Sequence, residues 1–178
     1  MQRPRCSVFI AASLDGYIAR PDGTFDFLSI VERPDEDYGF ADFFASVDAL
    51  LIGRNTYETA LGFPEWPYAG KRCVVLTHRE TPSVHGEQFF AGEPQALLEQ
   101  LALAGAQRVY VDGGAVIREF LAQGLIDDLT VSIIPTLLGQ GIALFGSEVP
   151  EQRLTLASCK AYESGLVQLS YARGAAAH

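Results

Sequence analysis

The sequence predicts an α/β fold on a mainly parallel sheet, and three observations carry that expectation. Strand-length apolar runs alternate with amphipathic helical stretches through the first two thirds of the chain, the pattern that lays helices over a parallel sheet. Two of those strands, in Ile52-Gly53-Arg54-Asn55-Thr56-Tyr57 and in Val109-Tyr110-Val111-Asp112-Gly113-Gly114-Ala115-Val116-Ile117, stop at glycine and turn directly into a helix. The last third holds alternating segments without intervening helices, which reads as an antiparallel hairpin.

In chain order, residues 6–13 form an apolar strand, broken at Asp15-Gly16 and resumed at 17–19. Residues 20–26 are turn chemistry throughout. Between Asp37 and Val47, the apolar residues Tyr38, Phe40, Ala41, Phe44 and Val47 recur at near-helical spacing. Residues 49–52 form a buried strand, 55–61 a short helix ended by Gly62, and 62–70 a loop with two prolines and the only tryptophan. Further strands follow at 72–76 and 87–91. Residues 94–103 form a helix with Pro94 in its first turn and Gly105 beyond its end. A strand at 108–111 leads into a helix over 115–123 that stops at Gly124. The alternating segments are 128–135, 153–162 and 166–173.

At 178 residues the chain suits one domain, 1–178 with a frayed tail at 174–178. Such a chain buries about 70% of its unfolded surface. A net charge of −9 argues against a nucleic-acid or anionic-membrane partner, since both need a basic face. A small anionic ligand stays open, because a few local cations outweigh a mildly repulsive field. No apolar run approaches the roughly 20 residues of a membrane span, and the N-terminus lacks a signal peptide's apolar stretch. Cys6, Cys73 and Cys159 lie far apart in strand-like segments and read as buried free thiols. Their odd number suits a reducing cytoplasm, the expected location. His85-Gly86-Glu87 resembles the start of a zinc deaminase signature, but no Pro-Cys-x-x-Cys follows, so no metal is expected.

Both glycine-ended junctions aim backbone N–H groups and the positive end of a helix at whatever sits before them, which favours phosphate. At the first, Gly53 permits close backbone approach, Arg54 supplies a fixed cation and Thr56 a hydroxyl. Those are three of the parts a pyrophosphate needs; the alternative is an ordinary turn whose threonine caps the helix. At the second, Gly113-Gly114 leaves no side chains at the strand end. Either something packs on that backbone, or the turn uses dihedrals that glycine tolerates best. The Gly-x-Gly-x-x-Gly fingerprint is absent from the first strand. Thr77-His78-Arg79 follows the strand at 72–76, where open α/β sheets bind ligands, and an arginine fork suits a 2′-phosphate. A solvated polar turn is the alternative there.

Four segments in order, Ala11-Ala12-Ser13-Leu14-Asp15-Gly16-Tyr17-Ile18-Ala19, Gly53-Arg54-Asn55-Thr56-Tyr57-Glu58, Val111-Asp112-Gly113-Gly114 and Ile134-Pro135-Thr136-Leu137-Leu138-Gly139-Gln140-Gly141, carry a family resemblance. Together they resemble the dihydrofolate-reductase-like superfamily, in its riboflavin-biosynthesis branch (the RibD C-terminal domain), here as a stand-alone member. The resemblance implies a three-layer fold, with a mostly parallel central sheet, a C-terminal antiparallel hairpin and flanking helices. It also implies NADPH across the C-terminal edge of the sheet and a homodimer. Matched residue by residue, Ala11 and Ile18 border the nicotinamide, and Gly53, Arg54 and Thr56 hold the phosphates. Thr77, His78 and Arg79 surround the 2′-phosphate, while Gly113, Gly114, Val116 and Ile117 close the other side of the pyrophosphate.

Hydride transfer needs the reacting carbons held together, water excluded and one proton supplied or relayed. Candidate acids are Asp37, Asp15 and Glu58. The resemblance implies an acidic residue where the helix facing the substrate begins, and counting back from Gly53-Arg54 reaches Asp37. The alternative for Asp37, in the run Asp35-Glu36-Asp37, is favourable helix-dipole chemistry. Asp15 reads as shaping its own turn and the nearby loop. Phe40, Trp66, Ser132, Leu138 and Gly139 are expected to frame the substrate. Two departures separate this chain from folate enzymes. Lys71, beside Arg72, stands where those enzymes carry a tail-clamping arginine, and residues 137–145 replace their Gly-Asp-Thr segment. The expected activity is reduction of 5-amino-6-(5-phosphoribosylamino)uracil or a similar heterocycle. A dihydrofolate reductase and a non-catalytic NADP-binding protein are the alternatives.

Overall fold

The computed structural model describes residues 2–79 and 81–174. In chain order the strands are β1 (Arg5–Ser13), β2 (Tyr17–Ala19), β3 (Ala49–Gly53), β4 (Arg72–Leu76), β5 (Gln88–Phe90), β6 (Arg108–Asp112), β7 (Asp128–Ile134), β8 (Ile142–Ala143), β9 (Leu154–Ala161) and β10 (Val167–Arg173). The helices are α1 (Phe40–Ala45), α2 (Arg54–Leu61), α3 (Pro94–Leu103) and α4 (Gly114–Ala122), with a 3-10 helix at Asp26–Val31. Eight strands form one sheet in the order β5-β4-β3-β6-β1-β7-β10-β9, and β2 pairs with β8. The first six in that order pair in parallel. β10 runs antiparallel to both β7 and β9, the hairpin expected from the sequence.

Alternation along β3 shows how the layers form. Leu50 and Ile52 pack with Tyr57 and Ala60 of α2, whereas Ala49 and Leu51 pack with Leu97 and Leu98 of α3 and Phe120 of α4. Successive strand residues face opposite sides, so a strand covered on both reads as a continuous apolar run. Helices therefore flank the sheet on two faces, and the three-layer dihydrofolate-reductase-like fold is the one observed.

Topology places the ligand crevice. From β3 the chain passes through α2 outward to β4, while from the adjacent β6 it passes through α4 to β7, beyond β1. Neighbouring strands whose connections leave in opposite directions open a crevice at their C-terminal ends. Right-handed crossovers put the two helices on opposite faces, as the two core clusters require.

Several expectations are corrected. The helix expected between 37 and 47 shrinks to α1, because Tyr38 (φ 57°) and Gly39 (φ 83°) turn the chain left-handed just before it. Cys6 and Cys73 are buried, but Cys159 is exposed, since every residue of the edge strand β9 is open to solvent. The 3-10 helix and β8 were not anticipated. Gly174, expected in the frayed tail, donates its N–H to the Arg153 carbonyl (3.3 Å); the rest of that tail, 175–178, lies outside the described residues.

Candidate active site

Two adjoining cavities occupy the C-terminal side of the sheet. The larger, about 1030 Å³, lies at the ends of β3 and β6. Its walls include Ala11, Ile18, Gly53, Arg54, Thr56, Gly113, Gly114 and Val116, so eight of the twelve residues expected around a cofactor come together here. The smaller, about 340 Å³, takes Asp37, Phe40 and Ser132 into its walls. Ile10, Ala11 and Leu28 line both and form the partition.

Glycine at the two mouths is a packing requirement. Gly113 has φ +91°, and a Cβ there would collide with the Thr56 hydroxyl. A Cβ on Gly53 would sit 3.1 Å from Val116 Cγ2, and one on Gly114 2.7 Å from Ile18 Cδ1. The mouths thus press against each other, and both alternatives read for the double glycine hold at once. Neither α2 nor α4 has a side-chain cap, so Thr56 does not cap its helix. First-turn N–H groups of both helices are thereby left for a ligand. Arg54, partly buried, donates from Nε to Glu58 Oε1 (2.7 Å) and from Nη1 to Thr81 Oγ1 (3.0 Å). Uncapped helix starts, a bare glycine backbone and a held guanidinium fit a pyrophosphate.

Other expected residues lie elsewhere. Ile117 of α4 is buried in the core and does not reach the cleft. Thr77, His78 and Arg79 sit one strand out from Gly53, beyond β4, and do not line the cleft. The Thr77 hydroxyl accepts the Arg79 N–H (3.2 Å), and His78 and Arg79 are exposed. Trp66 lines neither cavity: its ring stacks on His85 (4.5 Å) and meets Tyr68 and Tyr57 edge-on. Leu138 and Gly139 also stay outside both, because their N–H groups donate to the Asp15 carboxylate (3.1 and 2.7 Å). Ser13 Oγ donates to the same carboxylate (2.6 Å). Asp15 thus ties its own turn to the 137–141 segment.

Three acids differ in state. Asp37 lines the smaller cavity, but its oxygens accept the N–H groups of Gly39 and Ala41 (both 2.9 Å). The Ala41 and Gly39 bonds hold its carboxyl below the usual range, so it is ionised and tied to the turn that leads into α1. Asp112, at the end of β6 on the larger cavity, shows the opposite shift. Burial pushes its carboxyl up, against the Gly113 N–H (2.9 Å) and the Tyr68 hydroxyl (3.4 Å). Sequence reasoning saw this residue only as part of a glycine turn. Its signal, an acid that ends a strand after the run Val109-Tyr110-Val111, becomes chemical only once β6 is flanked on both sides.

The third acid, Glu87, is structural. It is buried and accepts from the Tyr57 hydroxyl and the N–H groups of Val84 and His85 (both 2.7 Å). Burial pushes its carboxyl up, yet those donors outweigh burial and bring it to about 2. A depressed carboxylate stabilises the fold fully above its unfolded value near 4.5 and loses that stabilisation as pH falls toward 2. Glu87→Ala is expected to cost about 3 kcal/mol at neutral pH, because three donors lose their acceptor. Denaturant unfolding checks this, and the variant is also expected to lose less stability than the parent chain between pH 5 and pH 2.5. Equal acid sensitivity of the two contradicts the assignment.

Fold and paired cavities define a dihydrofolate-reductase-like α/β domain. Residues 4–168 match the RibD C-terminal domain family, and the chain belongs to that family, whose members are reductase domains. It is 34% identical over 169 residues to the uncharacterized protein YwjB of Bacillus subtilis (strain 168), covering 93% of this chain and 96% of YwjB. The riboflavin biosynthesis protein RibD of Corynebacterium ammoniagenes is 31% identical over 161 residues, 81% of this chain but 47% of that protein. A crystal structure from Shewanella sp. PV-4, of a protein named for riboflavin biosynthesis, superposes with TM-score 0.90 at 34% identity, covering 96% and 99% of the two chains. A Thermotoga maritima deaminase/5-amino-6-(5-phosphoribosylamino)uracil reductase shares the fold, with TM-score 0.75 at 16% identity over 97% of this chain and 57% of that one.

Proposed function

We propose that this chain is an NADPH-dependent reductase, with the dinucleotide in the larger cavity and the ring to be reduced in the smaller. The observation that carries this reading is the pair of uncapped, glycine-ended helix starts beside Arg54, separated from an aromatic cavity only by Ile10, Ala11 and Leu28. When bound, NADPH supplies the hydride. The chain's own part is to hold phosphate on the α2 and α4 N–H groups and Arg54, to exclude water with Phe9 and Phe40, and to keep a proton available. Asp37, in the wall of the smaller cavity, is proposed as the catalytic or substrate-anchoring carboxylate, whereas Asp112 lines only the larger cavity, beside Gly113.

The substrate is a flat heterocycle, the class to which the ring of 5-amino-6-(5-phosphoribosylamino)uracil belongs. A folate substrate is disfavoured, because Lys71 donates to the Ala45 and Val47 carbonyls (3.3 and 2.6 Å) instead of standing free to hold a glutamate tail. Arg72 begins β4, at the sheet edge opposite the cleft. An NADPH-oxidation screen against aminopyrimidines, dihydrofolate and small carbonyls tests the reading. Turnover of an aminopyrimidine supports it, and turnover of dihydrofolate alone overturns it.

Thr77, His78 and Arg79 are proposed to meet the 2′-phosphate, as the loop they open is tethered to Arg54 through Thr81. Arg79→Ala is expected to weaken NADPH about ten- to hundredfold, the worth of one charged hydrogen bond, and NADH hardly at all. Parallel titrations check this, and equal losses contradict it. A homodimer belongs to the same proposal. Sedimentation at micromolar concentration is expected to give two copies, and a monomer contradicts that part.

A further inference from the structure

We infer that Gln168, which lines neither cavity, sets what the smaller cavity selects by holding Ser132 there as a hydrogen-bond donor. The inference rests on the reductase reading above and adds to it a positioning residue on the C-terminal hairpin. Register brings the two side chains together. Gln168 of β10 stands directly opposite Ser132 of β7, and opposed residues of antiparallel strands share a face. Ser132 is 4% exposed and belongs to the cavity wall, so few neighbours decide what its hydroxyl does.

The Gln168 amide has one workable orientation. Its Nε2 donates to the Tyr38 carbonyl (2.9 Å) and to Ser132 Oγ (3.1 Å). A carbonyl only accepts, so turning the amide over would set oxygen against oxygen at Tyr38. Both Nε2 hydrogens are thereby committed, and Ser132 Oγ is committed to accept one of them. Tyr38 is a fixed partner in its own right. Its hydroxyl bonds the Val31 carbonyl and Ser164 Oγ (2.8 Å), and its ring stands edge-on to Tyr162 at 4.8 Å.

A serine hydroxyl has one hydrogen to give, and that of Ser132 has no protein acceptor among the described residues. Thr130, two residues back on the same face, is paired with Ser170 Oγ (2.9 Å), and Ala11, opposite on β1, has no polar side chain. The O–H is therefore left for whatever fills the cavity. A ring that turns a carbonyl oxygen or an unprotonated nitrogen toward β7 satisfies it. A ring that turns an N–H or C–H there leaves a buried donor unpaired, and sites draw sharp selectivity from that mismatch. Glutamate at 168 would reverse the arrangement, because its carboxylate accepts the serine hydrogen and takes the donor out of the cavity.

The test is steady-state reduction of 5-amino-6-(5-phosphoribosylamino)uracil by the whole chain at saturating NADPH, well below each variant's melting temperature. Ser132→Ala is expected to raise KM about tenfold with kcat within about threefold, the mark of a lost binding contact. Gln168→Glu is expected to match it and to make Ser132→Ala silent, with less than about threefold further change. Uncharged Gln168→Met loses the pin but not the donor. Its KM is expected to rise about threefold, and Ser132→Ala still raises it further. The same Ser132→Ala cost in all three backgrounds, as a merely structural glutamine gives, overturns the inference. So does a parent-like KM in Gln168→Met, which decides the matter even if the glutamate variant does not fold. An NADPH titration of the parent chain separates the two levels. Without NADPH binding the reductase reading falls and takes this inference with it, whereas NADPH binding without turnover of this aminopyrimidine overturns the inference alone.

Discussion

Gly113→Ala is expected to weaken NADPH binding about a hundredfold, on the order of 3 kcal/mol. Alanine at φ +91° carries backbone strain of about 1–3 kcal/mol, and its methyl group occupies the position of the Thr56 hydroxyl. Relief requires moving either Thr56 or the start of α4, and both belong to the proposed phosphate cradle. The strain also acts on the fold, so the melting temperature is expected to fall. Binding is therefore measured well below the transition, with Thr56→Ala as a folded control that removes the hydroxyl without the strain. Unchanged affinity in the folded Gly113→Ala chain removes the second mouth from the cofactor site.

Asp37→Asn is expected to lower kcat about a hundredfold while NADPH affinity changes little, because Asp37 lines the smaller cavity and not the larger. The pH profile carries a sign. The Ala41 and Gly39 N–H groups hold the Asp37 carboxyl below the usual range, so activity that needs the carboxylate is retained through neutral pH and declines only as pH falls toward that lowered value. Asparagine offers one oxygen where the carboxylate accepts two N–H groups, so the melting temperature is read alongside. Asp112→Asn is the matched comparison, and its kcat is expected to stay within about threefold. A reversed order, with Asp112 critical and Asp37 dispensable, moves the chemistry to the end of β6.

Much of the fold was legible because it rests on local chemistry. Pro94 opens α3, Gly124 follows α4 and its Gln123 cap, and the buried run at 49–52 is a parallel strand covered on both faces. Features that escaped depend on contacts distant in sequence. β8 is two residues long and exists through pairing with β2, leaving no periodicity to read. Cys159 lies in an alternating strand, but alternation implies burial only when something covers one face, and β9 ends the sheet. Tyr38 fits helical spacing, yet its hydroxyl donates to the Val31 carbonyl and to Ser164 Oγ (2.8 Å), holding it outside α1.

The site divides along the same line. Gly53, Arg54, Thr56 and Gly113-Gly114 could be found because a strand ending in glycine before a helix has one local geometry. Trp66 is expected beside the substrate, along with Phe40 and Ser132, but its place against His85 comes from the fold of two loops. Asp112 was hidden by its neighbours: burial raises its carboxyl against the hydrogen bonds it accepts, and that burial is not visible in a strand's sequence.

Fluorescence titration of the purified chain with NADPH and, in parallel, NADH bears most directly on all of this. Saturable NADPH binding, at least tenfold tighter than NADH and lost in Arg54→Ala, is the predicted result. Absence of saturable binding by either nucleotide contradicts the assignment of the β3/β6 cleft and the function built on it.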